Sequence, residues 1–235
     1  MTSVPKFIPG CIGLSVENEI KLIKKSIEKP KKPLVAIIGG LKAEKLNAVI
    51  SLLNKVDYIL IGGALAFTLL KAQGYEMGNS KIDAEGLESL KHLVEKIKNN
   101  PKIKLPTDAV IADKFDENAN HKIVNINRID KEWMALDIGP ETIKQYKEIL
   151  NKANTILWFG PIGVFELKPF ANGTKEIANT LANSKAITII GGGDSAKAVD
   201  SLNLADKMTL VSSGGGASLE LVKGKKLVAL EVLSF

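Results

Sequence analysis

Short β-branched runs alternate along the chain with longer stretches in which apolar residues recur every three or four positions. A strand buried on both faces reads as a continuous apolar run, whereas a surface helix shows one apolar stripe. The pattern therefore predicts a mostly parallel sheet covered by helices on both faces. Strands are expected at Leu34 to Ile38, Tyr58 to Ile61, Ala109 to Ala112, Thr155 to Trp158, Ile187 to Ile190 and Met208 to Val211, a sheet of about six. Helical periodicity marks Val16 to Ile27, Glu44 to Asn54, Ala64 to Gln73, Glu85 to Lys98, Glu141 to Asn151 and Gly173 to Ala182. Pro30, Pro33, Pro101 and Pro106 punctuate the boundaries. The segment Lys114 to Trp133 is polar and lacks a clear period, so it is expected as an excursion with one short hairpin. Together these elements predict an α/β fold: a doubly wound, Rossmann-like parallel sheet in one domain spanning residues 1–235.

The first chemical signal lies in the turns after the strands. Gly39 and Gly40 come after the first, Gly62 and Gly63 after the second, Gly160 and Gly163 after the fourth, Gly191 to Gly193 after the fifth, and Gly214 to Gly216 after the sixth. In a doubly wound sheet these turns share one edge, where ligands bind beside the switch in strand order. A turn without Cβ lets backbone amides approach a phosphate, and each succeeding helix directs the positive end of its dipole inward. One such turn is commonplace in βα connections; five together favour an anion site.

Composition narrows the choice. A chain of 235 residues that is 45% hydrophobic and 25% charged belongs with ordinary globular domains. No apolar run approaches the roughly 20 residues a bilayer-spanning helix needs, and the start shows no secretory pattern. Cys11 is the only cysteine, so no internal disulfide forms, in keeping with a cytoplasmic protein. The net charge of +6 comes from scattered lysines with few aromatics among them, which argues against a nucleic-acid partner. Cys11 reads as a small packing residue, His92 and His121 as solvated, and Trp133 and Trp158 as packing aromatics.

Two familiar phosphate motifs discriminate further. A Walker pattern is absent. A dinucleotide pattern matches at Gly191, Gly193 and Ala196, but the acidic residue expected to hold a ribose at the end of the next strand is missing, because that strand ends in Val211, Ser212 and Ser213. A nicotinamide-dependent dehydrogenase is therefore the second choice, and a nucleotide-binding module without catalysis a third.

The residues themselves carry a resemblance. Gly39-Gly40-Leu41-Lys42, Ile61-Gly62-Gly63-Ala64 with Phe67, Leu105-Pro106-Thr107-Asp108 and Trp133 to Pro140 occur one after another in order. Gly160-Pro161-Ile162-Gly163-Val164-Phe165-Glu166, Gly191 to Ser195 and Ser213 to Glu220 complete the series. The set resembles the motifs of the phosphoglycerate kinases, over nearly the whole chain, but only their C-terminal, nucleotide-binding half. The resemblance implies ATP or ADP as substrate, Mg²⁺ as cofactor, and phosphoryl exchange with 1,3-bisphosphoglycerate in glycolysis. Phosphoglycerate would be held by an N-terminal domain that this chain lacks, so the chain alone is expected to turn over poorly or not at all. An excised domain and a split gene would both produce such a chain.

Carried over by position, the resemblance implies that Gly62, Gly63, Leu136, Gly163 and Val164 wall the adenine and that Glu166 holds the ribose. Gly193 and Ser195 would touch phosphate, and Asp194 would face the magnesium, although Asp194 could equally cap its helix. Gly214, Gly215 and Gly216 would aim amides at the phosphoryl group in flight, while Lys42 and Lys45 neutralise its charge. Four positions depart from the family pattern. Phe159 stands where Asn is usual, Ala135 where Gly is usual and Ser195 where Thr is frequent. Lys45 comes three positions after Lys42 instead of four, which moves its charge around the helix.

Overall fold

The run Leu34–Ile38 (β1) is buried at every position, as a strand covered on both faces requires. In this computed structural model, which describes residues 3–89 and 91–233, β1 is the centre of a six-stranded sheet. It is preceded by α1 (Leu14–Glu28) and followed by α2 (Leu46–Leu52), β2 (Tyr58–Ile61) and α3 (Gly63–Ala72). Then come α4 (Ala84–Ser89), α5 (Lys91–Ile97), β3 (Ile103–Lys104), β4 (Asp108–Ala112), β5 (His121–Asn125) and β6 (Met134–Ile138). The chain returns through α6 (Pro140–Leu150), β7 (Thr155–Phe159), α7 (Asn172–Ala182) and β8 (Ile187–Gly191). It ends with α8 (Gly193–Ser201), β9 (Leu210–Val211), α9 (Gly216–Val222) and α10 (Val228–Glu231).

Sheet order is β3-β2-β1-β7-β8-β9, with every neighbouring pair parallel. The chain winds outward from β1 to β3, then restarts beside β1 at β7 and winds the other way, the doubly wound arrangement. Side chains alternate across β1. Leu34, Ala36 and Ile38 pack with α1, α2, α3 and α9, whereas Val35 and Ile37 pack with α6, α7 and α8. Each buried Leu, Ile or Val contributes roughly 1.5–3 kcal/mol, so this two-sided core dominates the stability of the domain.

The sheet differs from the sequence expectation in one strand. Ala109 to Ala112 does not join it. That segment lies in β4, the centre of a separate three-stranded antiparallel sheet, β5-β4-β6, which packs on α3 through Phe67 and Leu70. The sixth strand of the main sheet is β3 instead, two residues paired with Ile59 and Leu60. The expected hairpin forms, but between β4 and β5. The expected helix Glu85 to Lys98 is seen as α4 and α5 on either side of Leu90, which lies outside the described residues, and the strand expected from Met208 begins at Leu210. Cys11, expected to pack, is exposed, in a segment before α1 that leaves Phe7 and Ile8 exposed as well. Trp158 is fully buried, as its size suggests, and His121 is exposed. The side chain of His92 lies outside the described residues.

Candidate functional site

The reversal of strand order sets the C-terminal ends of β1 and β7 side by side, Ile38 opposite Phe159. Their glycine turns interlock through backbone groups. Gly39 donates to the Phe159 carbonyl (2.9 Å), Gly40 to Pro161 (2.9 Å) and Gly63 to Ile162 (2.6 Å). A Cβ on Gly39 would overlap the Pro161 carbonyl oxygen, so only glycine permits this approach. The β8 turn joins through Ser195, whose hydroxyl accepts from the Gly160 amide (2.6 Å). Trp158 steadies the same turn by donating its indole N–H to the Gly160 carbonyl (2.7 Å).

Two adjoining cavities open over these turns. The larger, about 830 Å³, lies between Gly40, Gly63 and Pro161 on the main sheet and Met134, Ala135 and Leu136 on the antiparallel sheet. Val164 and Glu166 complete one wall. The smaller, about 150 Å³, is bounded by Lys45, Phe159, Gly160, the turn Gly191 to Gly193, Gly215 and Gly216. Asp194 lines both. An apolar slot opening onto a compact corner edged by Lys45, Asp194 and glycine turns is a shape suited to a flat ring carrying an anionic tail.

The amides of Gly193, Asp194 and Ser195 precede the first intrahelical bond of α8, which Ala196 makes to Gly192 (3.0 Å). Such leading amides have no acceptor within the helix and carry its positive dipole end. Lys45 reaches the corner from the other side, its Nζ donating to the Gly39 carbonyl (2.6 Å). Burial pulls the Lys45 ammonium below the usual lysine range and nearby Lys42 adds to this, while the Asp194 carboxylate opposes it. A partly desolvated cation facing a carboxylate across a small cavity is a strong electrostatic element.

Most of the residues expected from the sequence gather around these two cavities. Gly63, Leu136, Gly163, Val164 and Glu166 line the large cleft, and Gly193, Asp194, Ser195, Lys45, Gly215 and Gly216 line the small cavity or lie at both. Gly62 stands behind Gly63, its amide bonded to the Ile38 carbonyl and its α-carbon against Ile162. Lys42 is exposed and lines neither cavity. The Ser195 side chain is fully buried and committed to Gly160, so its backbone amide, not its hydroxyl, is left for a ligand. Gly214 likewise turns its amide to the Ser212 hydroxyl (3.1 Å) and away from the cavity. The three-residue spacing of Lys42 and Lys45 is absorbed by a 3-10 turn, Ala43–Lys45, so Lys45 stands ahead of α2 rather than on its flank. Phe159 packs its ring beneath Gly191, where a Cβ would overlap it, and gives the small cavity an apolar floor.

Two buried aspartates hold the walls; the sequence places Asp108 and Asp137 inside family-like motifs but assigns neither a role. Asp108 accepts from the amides of Glu141 (3.0 Å) and Thr142 (2.8 Å) and from the Thr142 hydroxyl (2.6 Å). It thereby caps α6, whose own Gly139 has no side chain to do so. Asp137 accepts from Gly173 (2.7 Å) and Ile138 (2.9 Å), pinning the start of α7 to β6. The available signal was an acid inside the apolar run Met134–Ile138. Burial pushes Asp137 up to about 7, against the pull of its two amide donors. Since its unfolded value lies near 4, the folded protein holds a proton there between about pH 4 and 7 that the unfolded chain has released. Stability is therefore expected to fall as pH rises through that window, with a limiting slope near 1.4 kcal/mol per pH unit from this group. Urea midpoints measured from pH 5 to 8 check it, and a contribution that rises with pH would contradict it.

Comparison with known proteins gives a family match, described as phosphoglycerate kinase, over residues 1–225. A phosphoglycerate kinase of Roseiflexus sp. (strain RS-1) is 46% identical over 233 residues, covering 98% of this chain and 59% of that protein. One of Clostridium botulinum (strain Hall) is 47% identical over 224 residues, covering 94% and 56%. Among solved structures, phosphoglycerate kinase from Coxiella burnetii superposes with a TM-score of 0.88 at 40% identity, over 94% of this chain and 58% of that one. The Pyrococcus horikoshii OT3 enzyme superposes with a TM-score of 0.86 at 29% identity, over 99% and 59%. The chain thus spans a little under three-fifths of the length of these relatives. With the match running through nearly every element described above, the chain belongs to the phosphoglycerate kinase family.

Proposed function

We propose that this chain is the nucleotide-binding domain of a phosphoglycerate kinase, corresponding to the C-terminal half of the two-domain enzyme. It would bind Mg·ADP or Mg·ATP and exchange a phosphoryl group with 1,3-bisphosphoglycerate or 3-phosphoglycerate held by a separate domain. The observation that carries this reading is the joining of the large apolar cleft to the small amide-lined cavity at Asp194. The base would enter the slot between Gly63, Leu136, Gly163 and Val164, with Glu166 at the ribose. The phosphates would meet the leading amides of α8, the backbone of Gly215 and Gly216, and Lys45.

Among the described residues no group of three or more potential ligands could hold a metal by itself. A lone exposed Asp194 beside a phosphate corner fits Mg²⁺ instead, an ion that keeps its waters and is bound through one carboxylate plus substrate phosphates. When bound, held by Asp194, the ion would neutralise negative charge on the phosphates. Positioning and charge suffice for phosphoryl transfer, so no strong base is required of the chain. A cytoplasmic place in glycolysis goes with this chemistry, and among the described residues no helix is long and apolar enough to cross a membrane.

A dehydrogenase is disfavoured by the end of β9, where the chain carries Ser212 and Ser213 instead of an acid and the neighbouring Glu19 carboxylate of α1 is engaged by their hydroxyls and the Ser213 amide. A phosphoglycerate-binding domain finds support in the exposed apolar side chains of Phe7 (85% exposed), Ile8 (64%) and Leu14 (79%), which another domain would cover. Calorimetric titration is expected to show Mg·ADP binding that Asp194→Asn weakens about tenfold, with little NADH binding. Adding a relative's phosphoglycerate-binding domain should then raise ATP formation well above that of the chain alone. Binding of NADH in preference to ADP, or full activity with no domain added, would refute the reading.

A further inference from the structure

The large cleft is lined by Phe67, Met134, Ala135 and Leu136, and an exposed lysine, Lys81, lines it as well. Lys81 is brought there by the segment between α3 and α4. The Asn79 amide donates to the Trp133 carbonyl (2.8 Å) and the Ser80 hydroxyl accepts from the Ala135 amide (2.9 Å), seating the segment against the start of β6. The phosphate corner of Lys45 and the glycine turns lies elsewhere, around Asp194. Among the described residues no carboxylate pairs with Lys81, including Glu166 and Asp194 of the same lining. An unpaired lysine lining an apolar slot is suited to a ligand that brings its own acceptor.

Its chemistry is directional. An ammonium only donates hydrogen bonds. Guanine and hypoxanthine present acceptors at O6 and N7, the pair that lysine reads in nucleic acids, whereas adenine places an amino donor where O6 would be. Resting on the nucleotide reading above, we propose that Lys81 is a base-reading residue that selects 6-oxopurine nucleoside diphosphates, so that the cleft takes GDP or IDP at least as well as ADP. Phe115, 62% exposed in the same lining, offers an aromatic face to any of these bases and does not discriminate among them.

The test is calorimetric titration of the chain and of its Lys81→Met variant with Mg·ADP, Mg·GDP and Mg·IDP. Methionine keeps the apolar stem and removes the donor, and retained ADP binding reports an intact fold. The expected result is a wild-type Kd for GDP no weaker than that for ADP. In the variant, GDP and IDP should weaken about tenfold while ADP stays within about twofold. ADP binding with the same ADP-to-GDP ratio in both proteins would overturn the base-reading role and leave the nucleotide site standing. Failure of the wild-type chain to bind any of the three would overturn both.

Discussion

Lys45→Met is expected to lower kcat for ATP formation by roughly 10²–10³-fold in the chain combined with a phosphoglycerate-binding domain, with a much smaller loss of ADP affinity. The asymmetry comes from where the charge sits. The Lys45 Nζ is bonded to Gly39 and partly desolvated in the small cavity, facing Asp194, so its field acts on whatever charge develops between the glycine turns. On the proposed reading, the ground-state nucleotide would also be held by the apolar slot and the amides of α8, which the substitution leaves alone. Lys42 is exposed outside both cavities, and Lys42→Met should cost far less. Initial rates alongside Mg·ADP titration separate the two effects. A kcat within threefold of wild type would remove Lys45 from the transfer step.

That Lys45 is the inward cation could not be read from spacing alone. It comes three positions after Lys42, and on a continuous helix this would turn its charge aside; the 3-10 turn Ala43–Lys45 restores it. Local hydrogen-bond geometry of this kind leaves little trace in a hydrophobic pattern. By contrast, β1, β2, β7 and β8 were legible within a residue or so, because strands buried on both faces must be apolar throughout. Ala109 to Ala112 was legible as a strand but not as to its sheet, since a buried run does not name its neighbour. Its partner β5 is exposed along most of its length and therefore carries no alternation, and β3 is too short for any period to show. In the site, the glycine turns marked the converging corners. Which amides remain free depended on Ser195 and Ser212, whose hydroxyls could as well have faced a ligand.

Gly163→Ala is expected to destabilise the domain by about 3–5 kcal/mol and to abolish tight nucleotide binding. The new methyl would overlap the Asp137 carboxylate and lie 2.7 Å from the Phe170 carbonyl oxygen. Neither can yield cheaply. Asp137 is fully buried and holds the Gly173 and Ile138 amides, which would be left without an acceptor if it moved. For a domain of this size the loss corresponds to a fall in Tm of roughly 10 °C. Gly193→Ala is the control, because a Cβ there meets nothing within 4 Å, and its Tm should stay close to wild type. Calorimetric melting of both variants decides the matter: equal Tm values would mean that the wall around Asp137 is softer than its packing implies.

The pairing of Ile38 with Phe159 has a kinetic consequence. The floor of the pocket joins segments from opposite halves of the chain, so no early fragment emerging during synthesis can contain it. Closing so long a loop is slow and comes before the contacts that reward it. Recovery of ligand binding after dilution from denaturant should therefore trail the return of helical signal, making a bound nucleotide a clock for the last step of assembly.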